Sequence, residues 1–208
     1  MNDETTSLNA LCAQIRACRI CREAPSGPPL PHEPRPVFRV SETARILIAG
    51  QAPGTRVHAS GMPFTDPSGV RLRAWLNMPD EVFYDVTRVA IVPMGFCFPG
   101  QDERGADLPP RPECAPAWRA RLLAALPNVR LVLAVGQYAI NWHVPKHLRR
   151  RTLTDTVRQW RAIARATAPM TIPLPHPSWR NNAWLKRNPW FEEEVLPFTR
   201  ARLAGLLE

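Results

Sequence analysis

Ala44-Arg45-Ile46-Leu47-Ile48-Ala49-Gly50-Gln51-Ala52-Pro53-Gly54 is the stretch on which the reading of this chain turns. Ile46–Ala49 is an unbroken apolar run closed by glycine, which reads as a buried strand. Gly-x-x-Pro-Gly directly after it leaves backbone amides exposed at the carboxyl edge of a sheet. Open α/β folds bind their ligands at that edge. A little further on, Gly61-Met62-Pro63-Phe64 offers an aromatic face to whatever sits there. Far downstream, Leu174-Pro175-His176-Pro177-Ser178 repeats the pattern: an apolar approach, then a proline-braced loop presenting one histidine. Two such loops outline an active site.

Outward from this stretch, strands are expected at Val89–Val92, Val129–Val135 and Met170–Leu174. Helices are expected at residues 5–17, from a Ser68 cap through Leu76, from about Pro116 to Ala125, and from Gln137 to Val144. Two more are expected over residues 153–166 and from near Trp190 to about Leu207. Residues 24–37 and 98–113 are proline-rich and read as loops. Strands that alternate with helices predict a parallel sheet covered on both faces. The fold class is α/β: a three-layer α/β/α sandwich with a four-stranded parallel central sheet, forming a single domain over residues 1–208.

Composition bounds the function. The chain has 208 residues, 45% of them hydrophobic, enough for one sizeable core. No window reaches the roughly 18 apolar residues of a membrane span. Met1-Asn2-Asp3-Glu4 lacks the basic and apolar regions of an export signal. A cytoplasmic protein with no membrane partner is expected. The net charge of +9, mostly from arginine, points to a polyanionic partner. Twenty-four prolines against ten glycines imply rigid, ordered loops. In a cytoplasmic setting the five cysteines suit a metal better than disulfides. Cys18-x-x-Cys21 has metal-type spacing, and Cys97 and Cys114 complete a set of four. Cys12 reads as a helix-face residue. Four thiolates suit either zinc or an iron–sulfur cluster.

Gly50–Gly54, Gly61–Phe64 and Ser68-Gly69 together resemble the first motif of the uracil-DNA glycosylase superfamily. The iron–sulfur class, often called family four, is the nearest in pattern. Its cysteine layout is similar to Cys18-x-x-Cys21 followed by the distant Cys97 and Cys114. His176-Pro177-Ser178 is similar to its His-Pro-Ser motif. These landmarks span residues 18 to about 182.

The resemblance implies a DNA glycosylase that flips a damaged base, usually uracil, and excises it during base excision repair. Phe64 would stack on the flipped base, and Ala52, Pro53 and Gly54 would hold it. His176 would donate a hydrogen bond to the base oxygen that gains negative charge. Gln51 would orient water. Ser178, Trp179, Arg180 and Asn181 would meet DNA, with Trp179 filling the gap left by the base. A 4Fe-4S cluster on Cys18, Cys21, Cys97 and Cys114 would order the DNA-facing loops, with zinc or no metal as alternatives. DNA is the implied partner, and a monomer is expected.

Two departures from the family pattern bear most on the chemistry. Gln51 stands where the iron–sulfur class has glutamate, and Pro93 where it has the asparagine that reads the uracil edge. Asp66, two residues after Phe64, is the carboxylate that can take over the chemistry; its other reading is a helix cap. His58 reads as an exposed loop residue. A non-catalytic module that binds single-stranded or damaged DNA on the same fold is the competing expectation.

Overall fold

A computed structural model describes residues 7–208. The reading of Met1–Glu4, and the first residues of the helix expected from residue 5, lie outside the described residues. Among the described residues four strands form one sheet: β1 Ile46–Ala49, β2 Val89–Ile91, β3 Leu131–Val135 and β4 Met170–Leu174. Their order is β2-β1-β3-β4, and every neighbouring pair is parallel. The helices among these residues are α1 Leu8–Arg16, α2 Ile20–Glu23, α3 Thr55–Ser60, α4 Pro67–Leu76, α5 Asp80–Phe83 and α6 Cys114–Ala124. They continue with α7 Gln137–His143, α8 Leu153–Arg158, α9 Trp160–Ala166, α10 Asn182–Arg187 and α11 Leu196–Leu207.

Successive strand residues point to opposite faces. Ile46 and Ile48 enter a core shared with Leu72, Trp75, Ile140, Trp160 and Phe191. Leu47 enters the other core, with Leu11, Ile15, Phe38, Leu122 and Val132. Helices α1 and α6 therefore cover one face, while α4, α7, α9 and α11 cover the other. The expected α/β sandwich with its four-stranded parallel sheet is the observed architecture. No helix among the described residues is long and apolar enough to cross a membrane.

Several elements differ from expectation. The cap of α4 is Asp66, not Ser68. Asp66 is extended and accepts from the Gly69 amide at 2.9 Å, while Pro67 fills the first helical position. Proline is at home there because that amide has no helical partner. Helix α6 begins at Cys114 rather than Pro116, so this cysteine opens a helix instead of ending a loop. The helix expected over 153–166 breaks at Gln159 into α8 and α9. The last helix opens with a wide π turn, Phe191–Val195, ahead of α11. Pro197, which lacks an amide donor, explains the irregular ladder. Helices α2, α3, α5 and α10 are too short for a periodic signal.

Parallel strands bring all the loops that matter to one edge. The chain leaves β1 toward β2 on one side and leaves β3 toward β4 on the other. The sheet therefore has a switch point between β1 and β3, where a crevice opens.

Candidate functional site

Gly50–Gly54 leaves β1 at this edge and is tied to the loop after β2. The Met94 amide donates to the Gly50 carbonyl and the Gly95 amide to the Gln51 carbonyl, each at 2.9 Å. With Pro63, Phe64, Asp66, Ser68, Pro93 and His176, this loop lines a cleft of about 470 Å³ measured to its open mouth. Gln51, Ala52, Pro53, Gly54, Phe64, Asp66 and His176, the residues expected to act on the base, all stand on its wall. Pro93 is there too, so the position expected to read a base edge presents no polar side chain.

Phe64 is held in an unusual backbone state. Its φ of 57° is left-handed, a costly conformation for a bulky residue that persists only where the surroundings enforce it. Here they do. Arg73 donates to its carbonyl at 3.0 Å. The Tyr84 hydroxyl lies 3.0 and 3.1 Å from the carbonyls of Pro63 and Phe64 and shares its proton between them. Gly69 completes the fit, because a Cβ there would fall 1.8 Å from the Phe64 carbonyl oxygen. The ring reaches back to β1, where a Cβ on Gly50 would meet its Cζ at 3.3 Å.

His176 follows β4 and packs on Gly136, the residue that leaves β3. Gly136 has φ +82°, and a Cβ on it would lie 3.5 Å from the imidazole. Asn181 donates to the His176 carbonyl at 2.6 Å. Burial pushes the imidazole below its ordinary pKa; Asp66 and Asp107 oppose that, and Arg180 adds to it. The net result is a neutral ring near pH 7, which retains one N–H to donate.

The residues after His176 divide in two. Trp179 is 71% exposed, with the Arg180 guanidinium 5.8 Å from its ring, so it does not close the loop against the core. Ser178 offers its carbonyl to Arg71 at 3.0 Å, and Asn181 turns inward to brace His176. His58 is not an exposed loop residue. It lies in α3, half-buried, with its ring 4.6 Å from that of His32 and 5.7 Å from that of Phe98.

Arg119 is a residue that reading the sequence passed over. It is fully buried under the cleft and donates to the carbonyls of Val92 and Pro93 at 3.0 and 2.7 Å, and to His143 at 2.6 Å. It fixes the loop that carries Pro93. Its signal was a charge on the apolar stripe that includes Ala115, Leu122 and Leu126.

The four expected ligands Cys18, Cys21, Cys97 and Cys114 line one narrow pocket with Ile15, Pro34, Pro36, Phe96 and Trp118. Among the described residues no three His, Cys, Asp or Glu side chains gather closely enough for a metal ion. A zinc ion with sulfur ligands at about 2.3 Å would need its thiolates within about 4 Å of one another. Two sulfurs already receive N–H donors: Cys18 from the Trp118 indole at 3.1 Å, and Cys114 from the Phe96 amide at 3.3 Å. Burial, with the neighbouring thiols, pushes Cys97 and Cys114 up to about 12. Ionised, these thiols need a nearby positive charge. Arg119, whose buried cation has no carboxylate ion pair among the described residues, lies within electrostatic reach of Cys114.

A family model described as the uracil DNA glycosylase superfamily matches residues 38–200.

Proposed function

The chain belongs to the uracil DNA glycosylase superfamily, and from that premise we propose that it flips a damaged base, uracil foremost, out of DNA and hydrolyses its N-glycosidic bond. The observation that carries this reading is the gathering of Gln51, Ala52, Pro53, Gly54, Phe64, Asp66 and His176 from separate segments onto one cleft. Flipping removes the base from its stack, and Phe64 replaces the lost neighbour. As the glycosidic bond stretches, electrons move onto a base carbonyl oxygen, and the neutral His176 donates to it in a site shielded from water. Gln51 orients water; it has no carboxylate to accept a proton. Asp66 holds its helix with one oxygen and stands on the cleft wall. Trp179, Arg180 and Ser178 meet DNA beside the cleft, and the net charge of +9 attracts its phosphates. Asn181 serves the same surface by holding His176.

Cys18, Cys21, Cys97 and Cys114 hold a 4Fe-4S cluster in this reading. When bound, the cluster would supply cross-linking, tying down the proline-rich loop 98–113 through Cys97 and Cys114. The protein works on DNA as a monomer in the cytoplasm. Its first test is release of free uracil from single- and double-stranded oligonucleotides. His176→Ala is expected to lower that rate by about 10²–10³-fold, with DNA affinity retained.

Gln51 and Pro93 favour a second reading: a module on the same fold that binds single-stranded or damaged DNA without cutting it. Salt-dependent binding, with uracil, hypoxanthine and xanthine oligonucleotides all left intact, would select it.

A further inference from the structure

The loop between Cys97 and Cys114 brings a carboxylate against Gly54 of the cleft wall. Asp102 organises this loop, accepting from the amides of Arg104 at 3.0 Å and Ala106 at 2.8 Å. The Leu108 amide donates to the Gly100 carbonyl at 2.9 Å, and Gln101 pairs with Asp107 in a single antiparallel bridge. The Gln101 side chain then donates to Oδ1 of Asp107 at 3.2 Å. The other oxygen reaches across to the β1 loop: a Cβ placed on Gly54 would lie 3.0 Å from Oδ2. Gly54 is on the cleft wall, whereas Asp107 is exposed and stands just outside it. Its charge nonetheless acts on the His176 imidazole, as that of Asp66 does.

The position of this carboxylate sets it apart. Asp107, like most of the described acidic residues, has no ion-pair partner among the described residues. A bare negative charge beside a DNA site repels phosphates, so it opposes binding. The group that would welcome it is the deoxyribose, which becomes cation-like as its bond to the base stretches. The base occupies the cleft, so the sugar stays outside it, and Asp107 is an exposed carboxylate set against the cleft wall at Gly54. The neighbours on the cleft wall leave the role open: Gln51 cannot take a proton, and Asp66 commits one oxygen to its helix cap.

We propose that Asp107 is a catalytic residue of this site, facing the deoxyribose and accepting the proton of the attacking water; this rests on the glycosylase reading above. The C1′–N bond breaks, and its electron pair goes to the base, where His176 meets the charge. The water oxygen bonds to C1′, and one water proton passes to the Asp107 carboxylate. That proton then returns through solvent to the base anion, leaving an abasic sugar, a free base and the original carboxylate.

The test is Asp107→Asn, which keeps the shape and an oxygen to accept from Gln101. Single-turnover excision from a uracil oligonucleotide is measured first. The affinities for two abasic analogues follow, one a cationic pyrrolidine and the other a neutral tetrahydrofuran. Wild type should excise uracil and prefer the cationic analogue. Asp107→Asn should slow excision on the order of 10²–10⁴-fold and lose that preference, while binding the neutral analogue normally. Wild-type excision with an equally fast Asp107→Asn overturns this proposal alone. Slower excision with the cation preference intact assigns the loss to loop structure and also overturns it. A wild type that excises nothing overturns the glycosylase reading and this one with it.

Discussion

Replacing Gly69 with alanine sets helix propensity against packing, and the structure says which wins. Gly69 lies in the first turn of α4. Alanine inside a helix is worth up to about 1 kcal/mol over glycine. The new Cβ, however, would fall 1.8 Å from the Phe64 carbonyl oxygen and 2.5 Å from its carbonyl carbon. Real contacts of this kind begin near 3.0 Å, so main chain must retreat by more than an ångström. That main chain is pinned by Arg73 at 3.0 Å and Tyr84 at 3.1 Å. Losing both bonds costs about 1 kcal/mol each, and the displaced backbone adds strain. The net effect is a destabilisation of about 1–2 kcal/mol, or a Tm lower by roughly 2–8 °C for a chain of this length. The same shift carries the Phe64 ring with it, and a 1 Å misplacement costs about 10²-fold in rate. Gly205→Ala in α11 is the matched control, because its Cβ would meet nothing within 4 Å. It should gain about 0.5–1 kcal/mol and excise normally. The assays are calorimetric unfolding and single-turnover excision of uracil. A Gly69→Ala protein that melts higher and cuts as fast as the control would refute the argument.

The remaining predictions address acid stability, the cysteine cavity and the DNA surface. Burial and the Arg119 cation hold His143 at about 3, against about 6.5 in an unfolded chain. Its folded pKa is depressed, so its stabilisation is complete above pH 6.5 and is lost as pH falls toward 3. Urea unfolding should show a loss of up to about 2 kcal/mol at pH 5 relative to pH 7, partly abolished in His143→Gln. His176, also depressed, acts in the same direction. Anaerobically purified protein should contain iron and acid-labile sulfide in equal amounts, and Cys97→Ser with Cys114→Ser should lose both. Zinc alone, or no metal, would refute that assignment. Trp179→Ala removes an exposed ring of the kind worth about 1–3 kcal/mol in stacking on nucleic acid. It should slow excision from duplex more than from single strands, and equal losses on both would count against a role in flipping.

Much of the fold was legible because buried parallel strands have a strong local signature. Ile46–Ala49 and Met170–Leu174 are strands with the bounds their apolar runs indicate, and Gly50, Gly136 and His176 mark the edge where the strands end. The cleft was legible for a related reason: each of its residues sits in a motif of proline, glycine and one functional group. What was hidden is long-range. Asp66 and Ser68 are both good caps by type, and only the extended backbone at Asp66, with Pro67 behind it, selects between them. Arg119, passed over in the sequence, gains its place only when the fold sets it under Pro93.

By itself the sequence determined the layers, the carboxyl-edge site and the residues on its wall, because hydrophobic periodicity and turn chemistry act over a few residues. Only the tertiary structure decided the rest. It forced Phe64 into a left-handed backbone between Gly69, Arg73 and Tyr84, drew four distant cysteines around one cavity, and carried Asp107 across to Gly54. Those outcomes depend on which loops meet in space. That is set by the packing of the whole sheet and not by the residues next along the chain.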